Sequence, residues 1–513
     1  MRDGNVVVVG AGIGGLACAI DLAYQGIGVC VVERGKAVGG KMRECHIAGR
    51  AIDSGPTVFT MRWVFDDLFQ SVEADLDHYV TLVPLEILAR HAWSAEERLD
   101  LFADLGCAAE AIGRFSGSVD AAHFLSFCVE ARAIYRTLKG PFLTESRPGP
   151  VMLARRIGLH RLSQLCGIRP FETLWQALSK QFRDPRLRQL FGRYATYNGS
   201  SPFAAPATLM LIAHVEREGV WQVAGGMQRL AEALERLAIS LGVVFRFDQE
   251  AAGIVVEGGR ARGVTLISGE RIDADAVVVN GDSAALAAGC FGNDVRTAVP
   301  PIAGKDRSLS AVTWARVARA EGFPLLRHNV FFSKDYAGEF ADLFDRRRLP
   351  ADPTVYICAQ DRTDGDDPRQ PDEDRLLLLV NAPPTGDGES FDAVEIDRCE
   401  RRVSRLLERC GLSLSDGPKA AVITTPRDFH RLFPGTGGAL YGRASHGWKA
   451  SFQRPTSQTA IPGLYLAGGS THPGAGLPMA ALSGRLAAWR LISDRLSIRR
   501  YHPAAIFGGI SMA

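Results

Sequence analysis

Apolar positions along the chain follow two periods in alternation, and their order sets the first expectation. Val6–Val9 is a run of β-branched residues with no polar interruption, the pattern of a parallel strand buried on both faces. "LACAIDLAYQG" follows with apolar residues at helical spacing and Gly26 as its stop, and "GVCVVE" is a second strand ending at Glu33. From about residue 60 to 215 helical patterns dominate, among them "WVFDDLFQSV" and "AAHFLSFCVEARAIYRTL". The strand–helix order then returns. "GVWQVAGGMQRLAEALERLAISLGVVFRF" reads as a turn at Gly225–Gly226, an amphipathic helix and a strand, and the strands "GVTLIS" and "DAVVVNGD" follow, the last closing at Asp282. From about 290 to 420 strands and helices mix. There "TVYICAQ" and "RLLLLVNAP" flank an acidic loop, "DRTDGDDPRQPDED", which lacks the spacing of a calcium loop and reads as a solvated turn. Near the end "LYLAGG" is a buried strand, and "PGAG" feeds a helix starting near Leu477.

The junction after the first strand carries chemistry. Gly10, Gly12 and Gly15 stand in G-x-G-x-x-G spacing between strand and helix, and Glu33 closes the next strand. In that context Gly10 permits a tight turn, and Gly12 lets backbone N–H groups approach a pyrophosphate. Gly15 lets helix and strand pack closely, and Glu33 receives ribose hydroxyls. An acid at Glu33, with no compensating basic residue in its place, favours a free 2′-hydroxyl, hence FAD or NAD over NADP. A second glycine doublet, Gly39–Gly40, followed by Lys41 and then by Gly55–Pro56, favours FAD, because NAD enzymes have no need of it.

The expected fold is α/β. It is a discontinuous, doubly wound, Rossmann-like FAD-binding domain of the glutathione-reductase-like kind, with an inserted α+β substrate-binding domain. Residues 1–80, 216–290 and 421–513 are assigned to the FAD-binding domain. Residues 81–215 form a helical insertion facing substrate and membrane, and 291–420 a substrate domain of mixed strands and helices. The two glycine-rich loops then serve opposite ends of one long cofactor.

Composition narrows the partners. The 513 residues are 46% hydrophobic and 23% charged, and 59 basic against 57 acidic residues leave a net charge of +2, which gives no reason to expect nucleic acid. Ten cysteines without a C-x-x-C or a zinc-type cluster read as reduced thiols in a cytosolic setting, with no metal site. The aliphatic runs, such as Leu376–Val380, are strand-length, well below the roughly 20 residues of a membrane span, and the short run before Gly10 is no secretory signal.

"GLYLAGGSTHPGAGLPMAALSG" (Gly463–Gly484), with "GGKM", "DSGPT", "YNGSSPFAAPA", "GVWQVAGGM" and "FPGTGGALYG", resembles the bacterial-type phytoene desaturases, a family of carotenoid oxidoreductases. Within it, Arg90–Asp104 and Ser126–Phe142 look most like the enzymes that desaturate 1-hydroxylated acyclic carotenoids. The resemblance implies an FAD-dependent enzyme that introduces a C3–C4 double bond during carotenoid biosynthesis in photosynthetic bacteria. Desaturation of phytoene, isomerisation of a carotenoid, or a non-catalytic prenyl- or lipid-binding escort role are the alternatives on the same fold. It also implies that Gly10, Gly12, Gly15 and Glu33 hold the ADP half of FAD, and that Gly40, Lys41, Gly55 and Pro56 line its ribityl and isoalloxazine region. Ala251, at the end of the strand "FRFDQEA", offers its backbone to the adenine, while Asp282, Gly468, Gly469, Pro478 and Met479 close over the flavin. Gly469 stands where many flavoenzymes place an acid, which speaks against an amine oxidase. His472 reads as a hydrogen-bonded residue shaping the loop before Pro473, and the catalytic base is left open. The implied partners are a long apolar carotenoid, an electron acceptor of unknown identity, and the surface of the inner or intracytoplasmic membrane. For the last, "PVMLARRIGLHRLSQL" (Pro150–Leu165), with Arg155, Arg156, His160 and Arg161, reads either as an interfacial helix or as an ordinary packed one.

Overall fold

The computed structural model describes residues 4–158, 167–363, 372–388, 390–416 and 421–501. His160, Arg161, Cys166 and most of the acidic loop lie outside the described residues.

A five-stranded parallel sheet runs in the order Val244–Arg246, Gly28–Val32, Asn5–Val9, Ala276–Val279, Leu464–Leu466. Its strands come from three distant stretches of chain, and Asn5–Val9 sits at the centre, Val7 opposite Cys30 on one side and Val277 on the other. The unbroken Val6–Val9 run is explained by what covers each face. Val6 and Val8 enter the core formed with the helices Ile13–Tyr24, Gln228–Ser240 and Leu477–Tyr501. Val7 and Val9 enter a second core under the antiparallel strands Ala251–Glu257 and Arg260–Leu266. Both faces are apolar because both are covered.

The stretch "FRFDQEA" is not one strand. Pairing ends at Arg246, Asp248 turns the chain at φ 53°, and Ala251 opens the separate antiparallel strand Ala251–Glu257. The N–H groups of Asp248 and Gln249 bond to the carbonyls of Gly35 and Glu33, which pins this turn beside the end of the second strand.

The other large sheet is built mostly from antiparallel pairs. Its order is Ser413–Asp416, Ser310–Glu321, Asp374–Ala382, Val355–Ala359, His328–Phe331, Ile87–Ala92, Arg98–Phe102, with Val422–Thr424 also beside Ser310–Glu321. Side chains alternate across it. Val312, Trp314, Leu376, Leu378, Val355 and Ile357 pack with the helix Ala393–Arg409. Thr313, Leu377, Leu379, Asn381, Tyr356 and Val330 point the other way and line a cavity. Two expectations change here. Residues 81–215 are not all helical, since Ile87–Ala92 and Arg98–Phe102 form a hairpin that joins this sheet through parallel pairing with His328–Phe331. The strand Val422–Thr424 belongs to this sheet too, not to the FAD-binding segment placed at 421–513. The hairpin's own pairing is local, but its place in this sheet, like that of Val422–Thr424, depends on strands about a hundred to more than two hundred residues away, where local periodicity carries no information.

Candidate functional site

The first glycine loop ends the central strand. Gly10 turns the chain at φ 99°, in the region glycine tolerates, and Gly12 caps the helix Ile13–Tyr24 without supplying a side chain to its free N–H groups. Gly15 faces inward, where an added Cβ would meet the Gly10 carbonyl at 2.2 Å, so helix and strand could not approach with any larger residue. Glu33 accepts from Ala11 N at 2.8 Å and from Gly35 N at 2.8 Å, which fixes its carboxylate beside the loop.

The second loop meets the first. Gly484, in the helix Leu477–Tyr501, lies against Gly14, where an added Cβ would come within 2.0 Å of the Gly14 carbonyl. Between the loops stands Asn280, a residue sequence reasoning missed. Its Nδ2 donates to Ala467 O at 3.1 Å, and it is the nearest neighbour of Gly10, Gly12, Gly14 and Gly468. No spacing rule marks Asn280, which precedes Gly281 at the end of an ordinary strand.

One cavity of about 1390 Å³ joins these parts. It is lined by Gly10, Gly12, Glu33, Gly40, Lys41, Gly55, Pro56, Ala251, Asp282, Gly468, Gly469, Pro478 and Met479, so the structure brings together every sequence-predicted site residue except Gly15, which packs behind the loop. Roughly 300–1000 Å³ is usual for a single ligand. This cavity exceeds that because it continues past the glycine loops into an apolar stretch lined by Leu138, Phe142, Leu153, Leu209, Ile212 and Val215.

The charged side chains of Lys41, Asp282 and Arg454 also line the cavity. Lys41 Nζ donates to Leu440 O at 2.6 Å and lies 5.2 Å from the Phe433 ring centroid. Burial lowers its pKa, against the attraction of Asp282, which raises it. Arg454, also missed from sequence, donates to the carbonyls of Tyr441 at 3.0 Å, Gly469 at 3.1 Å and Arg443 at 2.8 Å. Burial brings its pKa down to about 10 while Asp282 opposes the shift. Asp282 caps the helix Ser283–Ala288 through Ala284 N at 3.0 Å, and its Oδ2 has no partner. His472 is buried, and its Nε2 stands 3.0 Å from Glu145 O, where only an N–H donates; its ring packs edge-on against Phe142 at 4.9 Å. Burial lowers its pKa to about 4, so it is neutral near pH 7 and serves the loop's shape.

These residues fit FAD. Asn280 and Asp282, whose Oδ1 and Oδ2 have no partner, line the cavity, and Gly12 lines it as bare backbone because an added Cβ would come within 2.6 Å of Asn280 Oδ1. Fold and site together define a two-loop dinucleotide-binding flavoprotein with an attached apolar chamber.

Comparison with known proteins takes this further. The sequence profile of the family described as "Flavin containing amine oxidoreductase" matches residues 13–492, and the chain belongs to that family. It is 52% identical to hydroxyneurosporene desaturase of Rubrivivax gelatinosus, with 100% of this chain and 97% of the relative covered. It is 44% identical to hydroxyneurosporene desaturase of Cereibacter sphaeroides over 97% of this chain and 99% of the relative. A 1-hydroxycarotenoid 3,4-desaturase of a Flavobacterium species is 30% identical, with coverages of 94% and 98%. Among solved structures, an oxidoreductase from Methanosarcina mazei matches with a TM-score of 0.57 at 18% identity, covering 95% of this chain and 100% of that one, which supports the fold. The resemblance to phytoene desaturases and the assignment of FAD both stand. Among the described residues no helix is long and apolar enough to cross a membrane.

Proposed function

We propose that the chain is an FAD-dependent desaturase that introduces the C3–C4 double bond into a 1-hydroxylated acyclic carotenoid. One observation carries this reading: a single cavity begins at the two glycine loops and continues without a break into a long apolar wall. In it, Glu33 and the loop at Gly10 and Gly12 would hold the adenosine and pyrophosphate, Ala251 the adenine edge. Gly40, Lys41, Gly55 and Pro56 would lie along the ribityl chain and ring, and Asp282, Gly468, Gly469, Pro478 and Met479 would close over them. FAD, when bound, accepts a hydride from carbon. The protein contributes position and dryness. Leu377 and Leu379 of the sheet, with Leu209 and Ile212 opposite, confine an extended polyene and exclude water from the reacting bond. A cation left beside a conjugated polyene is delocalised along it, so the neighbouring C–H is acidic enough to need no strong base. That agrees with the neutral, carbonyl-bound His472.

Anaerobic mixing of the purified, FAD-loaded protein with 1-hydroxyneurosporene tests the reading. It is expected to bleach the flavin and yield a polyene absorbing at longer wavelength. An unbleached flavin with unchanged carotenoid sinks it, and an isomer without bleaching favours the isomerase instead.

The substrate's apolarity calls for access from a membrane surface, and the same reading extends to peripheral attachment there. Phe171 is 79% exposed and packs against Trp448 at 5.6 Å, and Val151, 75% exposed, is close by in sequence to Leu153 of the cavity wall. Pro170 and Trp448 line the cavity themselves. Arg155 is exposed and can face lipid headgroups. Arg156 is not, since it donates to Pro141 O at 3.1 Å and Ser146 O at 2.8 Å.

A further inference from the structure

A wholly apolar ligand would call for a wholly apolar wall, and this cavity does not have one. Tyr356 Oη stands 2.7 Å from Thr57 Oγ1 and 2.7 Å from His328 Nδ1, with the His328 and Tyr356 rings stacked. Arg193 Nη2 donates to Tyr197 Oη at 2.8 Å, and Tyr197 donates to Glu216 at 2.6 Å. Arg193 Nε and His328 Nε2 are buried without a partner, although such atoms cost free energy when left unsatisfied. Thr57, Tyr356, Arg193 and Tyr197 all line the cavity. Thr57 directly follows Gly55 and Pro56, the pair placed along the flavin ring.

We propose that Thr57, Tyr356 and Arg193, backed by His328, form the subsite that holds the hydroxyl of the substrate's end group and so sets which bond faces the flavin. It rests on the reading of the chain as a desaturase of 1-hydroxylated carotenoids. The placement follows from the substrate's own geometry. C1 is two bonds from C3, so its oxygen lies within roughly 4 Å of the carbon that reacts. A hydroxyl-binding group must therefore sit beside the flavin and not at the far end of the chamber, and the residue next to Pro56 is where the polar patch begins. The tyrosine and threonine hydroxyls accept or donate, and the arginine donates, which together match a tertiary alcohol's one donor and two lone pairs. Elsewhere the wall includes Leu138, Leu209 and Ile212, which offer the polyene only apolar contact, so register along the tunnel falls to the polar groups beside the flavin.

The test compares a 1-hydroxylated acyclic carotenoid with its 1-deoxy counterpart on the holoenzyme. Wild type is expected to favour the hydroxylated substrate by roughly tenfold or more in kcat/KM. Tyr356→Phe and Arg193→Gln, each checked for flavin content by absorbance, bring that ratio down several-fold. Dissociation constants of the desaturated product with and without its hydroxyl, read by fluorescence quenching, move in parallel, and no turnover enters that measurement. Equal preference in wild type, or a ratio that survives both substitutions, overturns the subsite and leaves the desaturase reading standing. Absence of turnover on both substrates sinks the desaturase reading instead, and the product-binding ratio still decides the subsite. A variant that loses flavin is set aside, because the wild-type pair and the product ratio decide without it.

Discussion

The two ends of the cavity are made of different material. At the cofactor end the surface is main chain: Gly10, Gly12, Gly468 and Gly469 present backbone, and Gly15 and Gly484 are held against carbonyls that an added Cβ would meet at 2.2 and 2.0 Å. At the substrate end the surface is side chain, alternate residues of a mostly antiparallel sheet facing leucines and isoleucines from the helical insertion. Backbone has no rotamers with which to accommodate a change, whereas a wall of aliphatic side chains repacks around a volume-conserving one. The cofactor end should therefore be brittle and the substrate end tolerant.

The sharpest way to break that contrast is Gly484→Val. Its branched side chain would be driven into the Gly14 carbonyl, separating the two glycine loops. A loss of about 3 kcal/mol or more and failure to retain FAD are expected, read by thermal unfolding and by flavin-to-protein ratio. Normal flavin content would show the loops to be less tightly coupled than their packing implies. Next in size, Glu33→Gln removes the charge beside Ala11 and Gly35 and is expected to weaken FAD binding by roughly 10- to 100-fold in a titration of flavin-free protein, with little change once the site is saturated.

A pH series compares the halves with one chemistry. Burial lowers the pKa of His91 and His328, in the substrate sheet, to about 3, and that of His472, in the cofactor loop, to about 4. Each is neutral when folded but takes a proton in the unfolded chain below about 6.5, so the unfolded state binds more protons and stability falls as pH drops from 6.5 toward 4. By pH 5 each histidine accounts for at most about 2 kcal/mol, measurable as a lower denaturation midpoint than at pH 7.5. His472→Gln should flatten this slope by its own share and leave the rest. The smallest effect is expected at the tolerant end's rim: Phe171→Ser with Val151→Ser, both exposed and outside the cavity lining, should reduce liposome flotation several-fold while leaving turnover of detergent-dispersed carotenoid within about twofold. Unchanged flotation would remove this rim as the membrane contact.

Legibility in the sequence divides along the same line. Gly10, Gly12, Gly15 and Glu33 were readable because main-chain contact with a nucleotide imposes glycine at fixed, short separations, and an acid at the next strand's end. Asp282 and Met479 were singled out as site residues only through the family resemblance. Asn280 and Arg454 were not readable at all: each is a single polar residue whose partners, Ala467 and Gly468 for one, Tyr441 and Gly469 for the other, are set by how separate segments meet. The hairpin from Ile87 to Phe102 was taken for part of a helical insertion although its strands pair with each other locally; only its place beside His328–Phe331 lay beyond the reach of the sequence.

The sequence by itself determined the cofactor loops, the buried central strand and the family, all of which depend on neighbours a few residues apart and so leave a local pattern. Tertiary structure alone decided that the two loops share Asn280, that one face of a distant sheet lines the same chamber, and that Thr57, Tyr356 and Arg193 line it together. Those contacts join positions separated by more than a hundred residues. Their energy lies in packing and hydrogen bonds between segments, for which no periodicity exists to read.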